Sequence, residues 1–204
     1  MGLFDRFKSG TAPTQQGLTA EGWNSKGGAL YRLNRYQEAL QCFDKALEID
    51  PRYAYAWGLK GTALYALDRD QEALQCLDKA LKIDPKNADA WALKGAALYA
   101  LGRLQEALPC LDKALEIDPR NFLAWYNKGL SLDKLGHYAE AVRCFDKALE
   151  IDPRFVRAWN NKGVSLYHLG RYAEAIGCFD KALEIDPQYA LAQKGKRMAL
   201  AERS

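Results

Sequence analysis

Residues 125–153 read WYNKGLSLDKLGHYAEAVRCFDKALEIDP. Apolar residues in this stretch fall at Trp125, Leu132 and Leu135, then Tyr138, Ala141, Phe145, Ala148, Leu149 and Ile151, a helical spacing in two runs. Between the runs stands Gly136, a residue type that tolerates the left-handed backbone used just past a helix C-terminus. Asp152-Pro153 closes the stretch, because proline disfavours helix at the residue before it. The spacing therefore predicts a helical hairpin.

The same hairpin recurs on either side. Trp23, Trp57, Trp91, Trp125 and Trp159 stand 34 residues apart, and Cys42, Cys76, Cys110, Cys144 and Cys178 repeat that period. Counting each unit from three residues before its Trp gives repeats 20–53, 54–87, 88–121, 122–155 and 156–189 without insertions. The hairpin-turn position is held by Asn34, Asp68, Gly102, Gly136 and Gly170. Gly27, Gly61, Gly95, Gly129 and Gly163 in the first helices, with Ala39, Ala73, Ala107, Ala141 and Ala175 in the second, let the helix axes approach closely. A single hairpin cannot bury both its Trp and its Phe, so neighbouring hairpins must stack, each large side chain contributing about 2–3 kcal/mol. No strand pattern interrupts this.

Composition narrows the function classes. Hydrophobic residues make up 49% and charged residues 27%, which suits a folded chain with a substantial core. Twenty-nine basic and 26 acidic side chains are interleaved, leaving a formal charge of +3, so nucleic acid is not an expected partner. No apolar run approaches the roughly 20 residues that cross a bilayer, and the start lacks a secretory pattern, so the expected location is cytoplasmic. The five evenly spaced cysteines read as small semi-buried apolar residues, since repeat spacing keeps equivalent thiols apart. His137 and His168 lie near hairpin turns without a catalytic constellation, and no metal or cofactor motif is present. The expectation is a non-enzymatic protein without cofactors.

The recurring Trp, Gly, Ala, aromatic, Ala and Pro, seen here as Trp125, Gly129, Ala141, Phe145, Ala148 and Pro153, resemble the signature of the tetratricopeptide repeat family over residues 20–189. The units also look like the near-consensus repeats of archaeal and bacterial multi-repeat members. The resemblance implies an all-α fold, a right-handed superhelical α-solenoid of five 34-residue helix-turn-helix repeats. A capping helix over 190–204 is expected to follow the repeats, and a flexible tail over 1–19 to precede them.

In that family the first helices line a concave groove that holds a peptide or helix of a protein partner. Carried over by register, the groove is expected to present Asn24, Tyr31, Leu59, Thr62, Tyr65, Leu93, Tyr99, Tyr126, Asn127, Arg157, Asn160, Asn161 and Tyr167. These positions vary from repeat to repeat while the packing positions do not, as a recognition surface allows. Leu59 and Leu93 suit an apolar side chain, and Asn127, Asn160 and Asn161 suit peptide backbone. The chaperone-tail clamp of some relatives is not expected, because Asn24, Gly58, Ala92, Tyr126 and Asn160 stand where that clamp has lysine.

The chain departs from the pattern at several points. Lys26, Lys60, Lys94, Lys128 and Lys162 replace the usual Leu before the Gly, and the second helices carry Asp44, Asp78, Asp112, Asp146 and Asp180. Each Asp is expected to receive a Lys from its own or an adjacent hairpin, against the simpler alternative of snorkelling. Pro109 is expected to bend or weaken its helix, and Asp70, where sibling repeats have Tyr or Leu, to leave the second hairpin the least well packed.

At the ends, Leu3, Phe4 and Phe7 would share one helix face, so membrane contact by residues 1–8 is a minor alternative. An incompletely capped C-terminus gives the competing expectation of a homo-oligomer joined through array ends. The C-terminal segment has no Trp equivalent.

Overall fold

Each first helix stops where the sequence supplies a left-handed residue. Asn34 and Asp68 adopt φ of 58° and 56°, and Gly102, Gly136 and Gly170 adopt 74°, 82° and 71°. At the first of these turns the Arg35 amide donates to the Leu30 carbonyl at 3.0 Å and the Asn34 amide to Tyr31 at 2.9 Å, which satisfies carbonyls that the helix end leaves open.

The computed structural model describes residues 17–203 and contains, among them, eleven α-helices and no strand. In chain order these are α1 (Ala20–Arg32), α2 (Tyr36–Ile49), α3 (Ala54–Tyr65), α4 (Asp70–Ile83), α5 (Ala88–Ala100), α6 (Leu104–Ile117), α7 (Phe122–Lys134), α8 (Tyr138–Ile151), α9 (Val156–His168), α10 (Tyr172–Ile185) and α11 (Ala190–Glu202). The expected tail, with its Leu3, Phe4 and Phe7 face, lies outside the described residues except for 17–19, where Thr19 caps α1 by accepting from the Gly22 amide at 3.1 Å. Two compact units divide the chain after Ile83, the first holding α1–α4 and the second α5–α11.

Within every hairpin the first-helix glycine faces the large side chain of the second helix. A Cβ on Gly27, Gly129 or Gly163 would lie 2.6, 2.6 or 2.7 Å from the ring of Phe43, Phe145 or Phe179, and one on Gly95 would lie 2.5 Å from Leu111. Phe43, Phe145, Leu77 and Leu111 are fully buried as a result.

The Asp-Pro pairs do more than end helices. Asp50, Asp84, Asp118, Asp152 and Asp186 each accept, through Oδ1, the amide two residues on, a local turn that side chains of this type favour. The proline carbonyl is in turn an anchor: Trp57, Trp91, Trp125 and Trp159 donate their indole Nε1–H to Pro51, Pro85, Pro119 and Pro153 at 2.9–3.0 Å. In α11 the Trp register belongs to Gln193, whose Nε2 donates to the Pro187 carbonyl at 2.9 Å. An amide thus reproduces the indole's hydrogen bond on the capping helix.

The repeated lysine finds the Asp of the preceding hairpin. Lys60 reaches Asp44 at 2.5 Å, Lys128 reaches Asp112 at 2.5 Å, Lys162 reaches Asp146 at 2.6 Å, and Lys196 of α11 reaches Asp180 at 2.6 Å. The lysine side chains are 20–36% exposed, so these are partly shielded inter-hairpin pairs rather than free surface pairs. The Nζ atoms of Lys60, Lys128 and Lys162 also sit 5.4–5.7 Å from the centroids of Trp57, Trp125 and Trp159, over the negative ring faces. Snorkelling alone does not describe them.

Pro109 leaves α6 continuous over the same 14 residues as its siblings. The proline sits on the exposed side of α6, and the helix runs on through it. Asp70 opens α4 half-buried, and burial together with the neighbouring Asp68 raises its carboxyl above the ordinary range. In the same unit a cavity of about 490 Å³ is walled by Gln37, Leu40, Asp44, Lys60, Leu64 and Glu72, among others.

All five cysteines are buried thiols outside any disulfide, and burial pushes the Cys144 and Cys178 thiols up to about 11. Since the thiolate is the reacting form, a disulfide reagent at neutral pH is expected to label Cys144 and Cys178 in the native protein at least about 100-fold more slowly than in urea. Rapid native labelling, read by absorbance, would contradict this burial.

Candidate functional site

The first helices carry the positions at which the repeats differ, and the structure sorts the expected groove residues into three kinds. Some are partly core. In the first unit Tyr31, Leu59 and Tyr65 pack against the cluster around Phe43 and Leu64, and Tyr31 also lies 5.2 Å from the Tyr36 ring. In the second unit Tyr167 packs on the Val142 and Phe179 cluster, with its ring 5.4 Å from Tyr172.

Others spend their polar groups on their own helix. Thr62 donates to the Gly58 carbonyl at 3.0 Å, and Asn127 is buried with its Nδ2 donating to the Leu123 carbonyl at 2.8 Å. A side chain oriented this way has its donor occupied, so Asn127 is not available in the manner of its neighbours.

Of the remainder, Tyr126, Asn160 and Asn161 are brought together in the second unit, with Arg157 and Tyr99 near Tyr126. Asn161 Nδ2 donates to the Tyr126 hydroxyl oxygen at 3.0 Å, and Asn160 Nδ2 donates to Asn161 Oδ1 at 3.1 Å. The Tyr126 ring rests edge-on against Phe155 at 4.7 Å and tilted against Phe145 at 6.0 Å. Burial pushes the Tyr126 phenol up to about 12; nearby Arg157 opposes that rise, and the phenols of Tyr189 and Tyr99 add to it. Arg157 itself is exposed, and Leu93 and Tyr99 are half-buried. Lys134 places its Nζ 5.4 Å from the Tyr99 ring centroid.

Sequence register alone missed three participants. Asn121, the N-cap of α7, donates to Asp89 Oδ1 at 2.8 Å while its own oxygen takes the Ala124 amide. Ser165 donates to Asp133 at 2.5 Å, linking α9 to α7. Tyr189 belongs to the loop before α11, outside the first-helix register, and only its position one repeat beyond Phe155 pointed to it.

Asn24 in the first unit repeats part of this arrangement. It is 4% exposed, its Oδ1 has no hydrogen-bond partner among the described residues, and its side chain neighbours the Tyr53 hydroxyl. Asn160 is likewise 4% exposed with an unpartnered Oδ1. Among the described residues no group of three or more His, Cys, Asp or Glu is placed to hold a metal ion, and no helix is long and apolar enough to cross a membrane.

Family models described as tetratricopeptide repeat match residues 30–97, 88–121 and 126–190. Among solved structures, YrrB, described as a TPR protein with an unusual peptide-binding site, is 30% identical over 87% of this chain and 92% of its own, with a TM-score of 0.69. A MamA structure is 26% identical over 80% of this chain and 96% of its own, also at 0.69. A thermophilic TPR protein from Thermus thermophilus is 24% identical over 89% of this chain and 99% of its own, at 0.72, and is alike in fold. No curated protein matches the sequence.

Proposed function

Because the chain belongs to the tetratricopeptide repeat family, whose helical hairpins make protein-interaction scaffolds, we propose that it is a non-enzymatic adaptor holding a peptide or short helix of a partner on its first-helix face. One observation carries the reading. Packing positions such as Gly129 and Phe145 repeat through the chain, whereas the first-helix face changes and gathers Tyr99, Tyr126, Arg157, Asn160 and Asn161 in the second unit. Tyrosines and amides give large contact area with adaptable hydrogen bonding, and Arg157 adds an exposed charge. The described peptide-binding site of YrrB, a relative at 30% identity, supports the same use of the fold.

Selection of a random dodecapeptide library on the full chain tests this, beside a Leu93→Glu/Arg157→Glu variant of matched melting temperature. Enrichment on the parent and its loss on the variant is the expected outcome. Equal enrichment on both would move the site elsewhere.

A second reading, self-association through the C-terminal end, has its own support. Leu200 stands in the register of Leu166, which is 1% exposed, yet Leu200 is 46% exposed. Leu191 and Met198 are 60% and 45% exposed on the same helix. Light scattering that gives a mass rising with concentration, and restored to monomer by Leu200→Glu, is its signature.

A further inference from the structure

The first helices α3, α7, α9 and α11 each lie against the second helix of the hairpin before. Their residues at two recurring positions, Ala56 and Ala63, Ala124 and Ser131, Ala158 and Ser165, Ala192 and Ala199, are all 0% exposed. Ala63 packs in the cluster of Phe43 and Ala199 in that of Phe179. In α1 the same register holds Gly22 and Ala29, with Ser25 between them. Ser25 and Ala29 are exposed and Gly22 is half-buried, and no described helix precedes α1.

The charge at this register is open in the same way. Lys60, Lys128, Lys162 and Lys196 each reach the Asp of the preceding hairpin at 2.5–2.6 Å. Their equivalent Lys26 pairs with no carboxylate among the described residues and lies 5.1 Å from the centroid of the Trp23 ring.

The chain itself carries the complementary segment, outside the described residues. Met1-Gly2-Leu3-Phe4-Asp5-Arg6-Phe7 follows the pattern of Leu40-Gln41-Cys42-Phe43-Asp44-Lys45-Ala46, with apolar, aromatic, acidic and basic residues at the same spacing. Phe4 stands for Phe43, which packs with Ala63, and Asp5 for Asp44, which receives Lys60. Phe7 for Ala46 and Lys8 for Leu47 are the departures, and both replaced residues cluster with Trp23 of their own hairpin. Fifteen positions separate Asp5 from Ala20, against ten from Asp44 to Ala54, so the connection has the length to bring the segment to α1. A second copy is the poorer occupant, because the exposed Lys194 and Arg197 of its α11 bring like charge to Lys26.

We infer that residues 1–8 dock on the open side of α1 of their own chain as a short second helix, seating Phe4 over Gly22, Ser25 and Ala29 and pairing Asp5 with Lys26. The segment becomes helical on docking, since so few residues do not hold a helix alone. The first hairpin is thereby covered by its own chain, independently of what the first-helix face binds.

Hydrogen exchange of the full chain, read by mass spectrometry on a peptide spanning residues 20–33, tests this. Phe4→Glu is expected to speed exchange in α1 about tenfold or more, the factor that corresponds to exposing one large apolar side chain, and to leave α7–α10 at the parent rate. Phe4→Leu copies Leu77 and Leu111 of the sibling second helices and is expected to stay within about threefold of the parent. Asp5→Lys and Lys26→Asp are each expected to speed exchange about two- to fivefold, and the two together to restore protection.

Protection of α1 unchanged by Phe4→Glu overturns the inference. A double swap no better protected than its single variants also overturns it, because the segment would then lie in another register. Parent protection that grows with protein concentration would seat the segment on a second copy and overturn docking within the chain. Sedimentation of the parent but not of Phe4→Glu with vesicles of phosphatidylserine and phosphatidylcholine, at unchanged α1 exchange, would make residues 1–8 a membrane contact instead.

Discussion

Gly129→Ala is expected to destabilise the protein by about 1–3 kcal/mol in the parent but to be neutral or stabilising once Phe145 is alanine. A Cβ at Gly129 would stand 2.6 Å from Cε1 and 2.8 Å from Cδ1 of Phe145, and that ring is fully buried with no space into which to withdraw. Phe145→Ala alone removes the ring and leaves a cavity, at a cost of about 3–5 kcal/mol. In that background the alanine methyl enters the vacated space, and its better helix propensity, worth about 1 kcal/mol over glycine, becomes visible. A double-mutant cycle from urea melts should therefore show strong coupling. Additive effects would mean that the glycine serves backbone flexibility and not helix approach.

Pro109→Gln is expected to stabilise the second unit by about 2–3 kcal/mol. Proline at this position forfeits the backbone hydrogen bond to the Gln105 carbonyl within an otherwise continuous α6. Its siblings Gln41 and Gln75 show that glutamine suits the register, and the exposed side chain perturbs no core contact. The check is the urea midpoint of unfolding together with retention of the dodecapeptide library. A higher midpoint with unchanged retention is the predicted result. Altered retention would show that the proline shapes the first-helix face from behind.

The site was less legible than the scaffold, and the asparagines show why. Register placed Asn127 and Asn161 at the same point of successive repeats, yet Asn127 turns onto its own helix while Asn161 reaches Tyr126 of the preceding hairpin. What separates them is the residue each meets across the helix pair: Asn161 has a hydroxyl opposite, whereas the corresponding position of the third repeat, facing Asn127, is Ala92. The repeated lysines behave similarly. Their charge announced a partner, but the choice of Asp112 over Asp146 for Lys128 is a matter of which second helix the stacked first helix lies against.

By itself the sequence determined the 34-residue period, the hairpins, the turns at Asn34 through Gly170 and the Asp-Pro stops, because each depends on residues within about one helical turn or on a packing contact repeated identically. Tertiary structure alone decided that Trp and then Gln193 hang on proline carbonyls, that lysines clasp the preceding hairpin, and that Asn160 and Asn161 join Tyr126 in one hydrogen-bonded chain. Those outcomes turn on angles between helices that are distant in sequence, and on which polar groups remain unpaired after packing. Periodicity fixes the spacing of such groups, but not their partners.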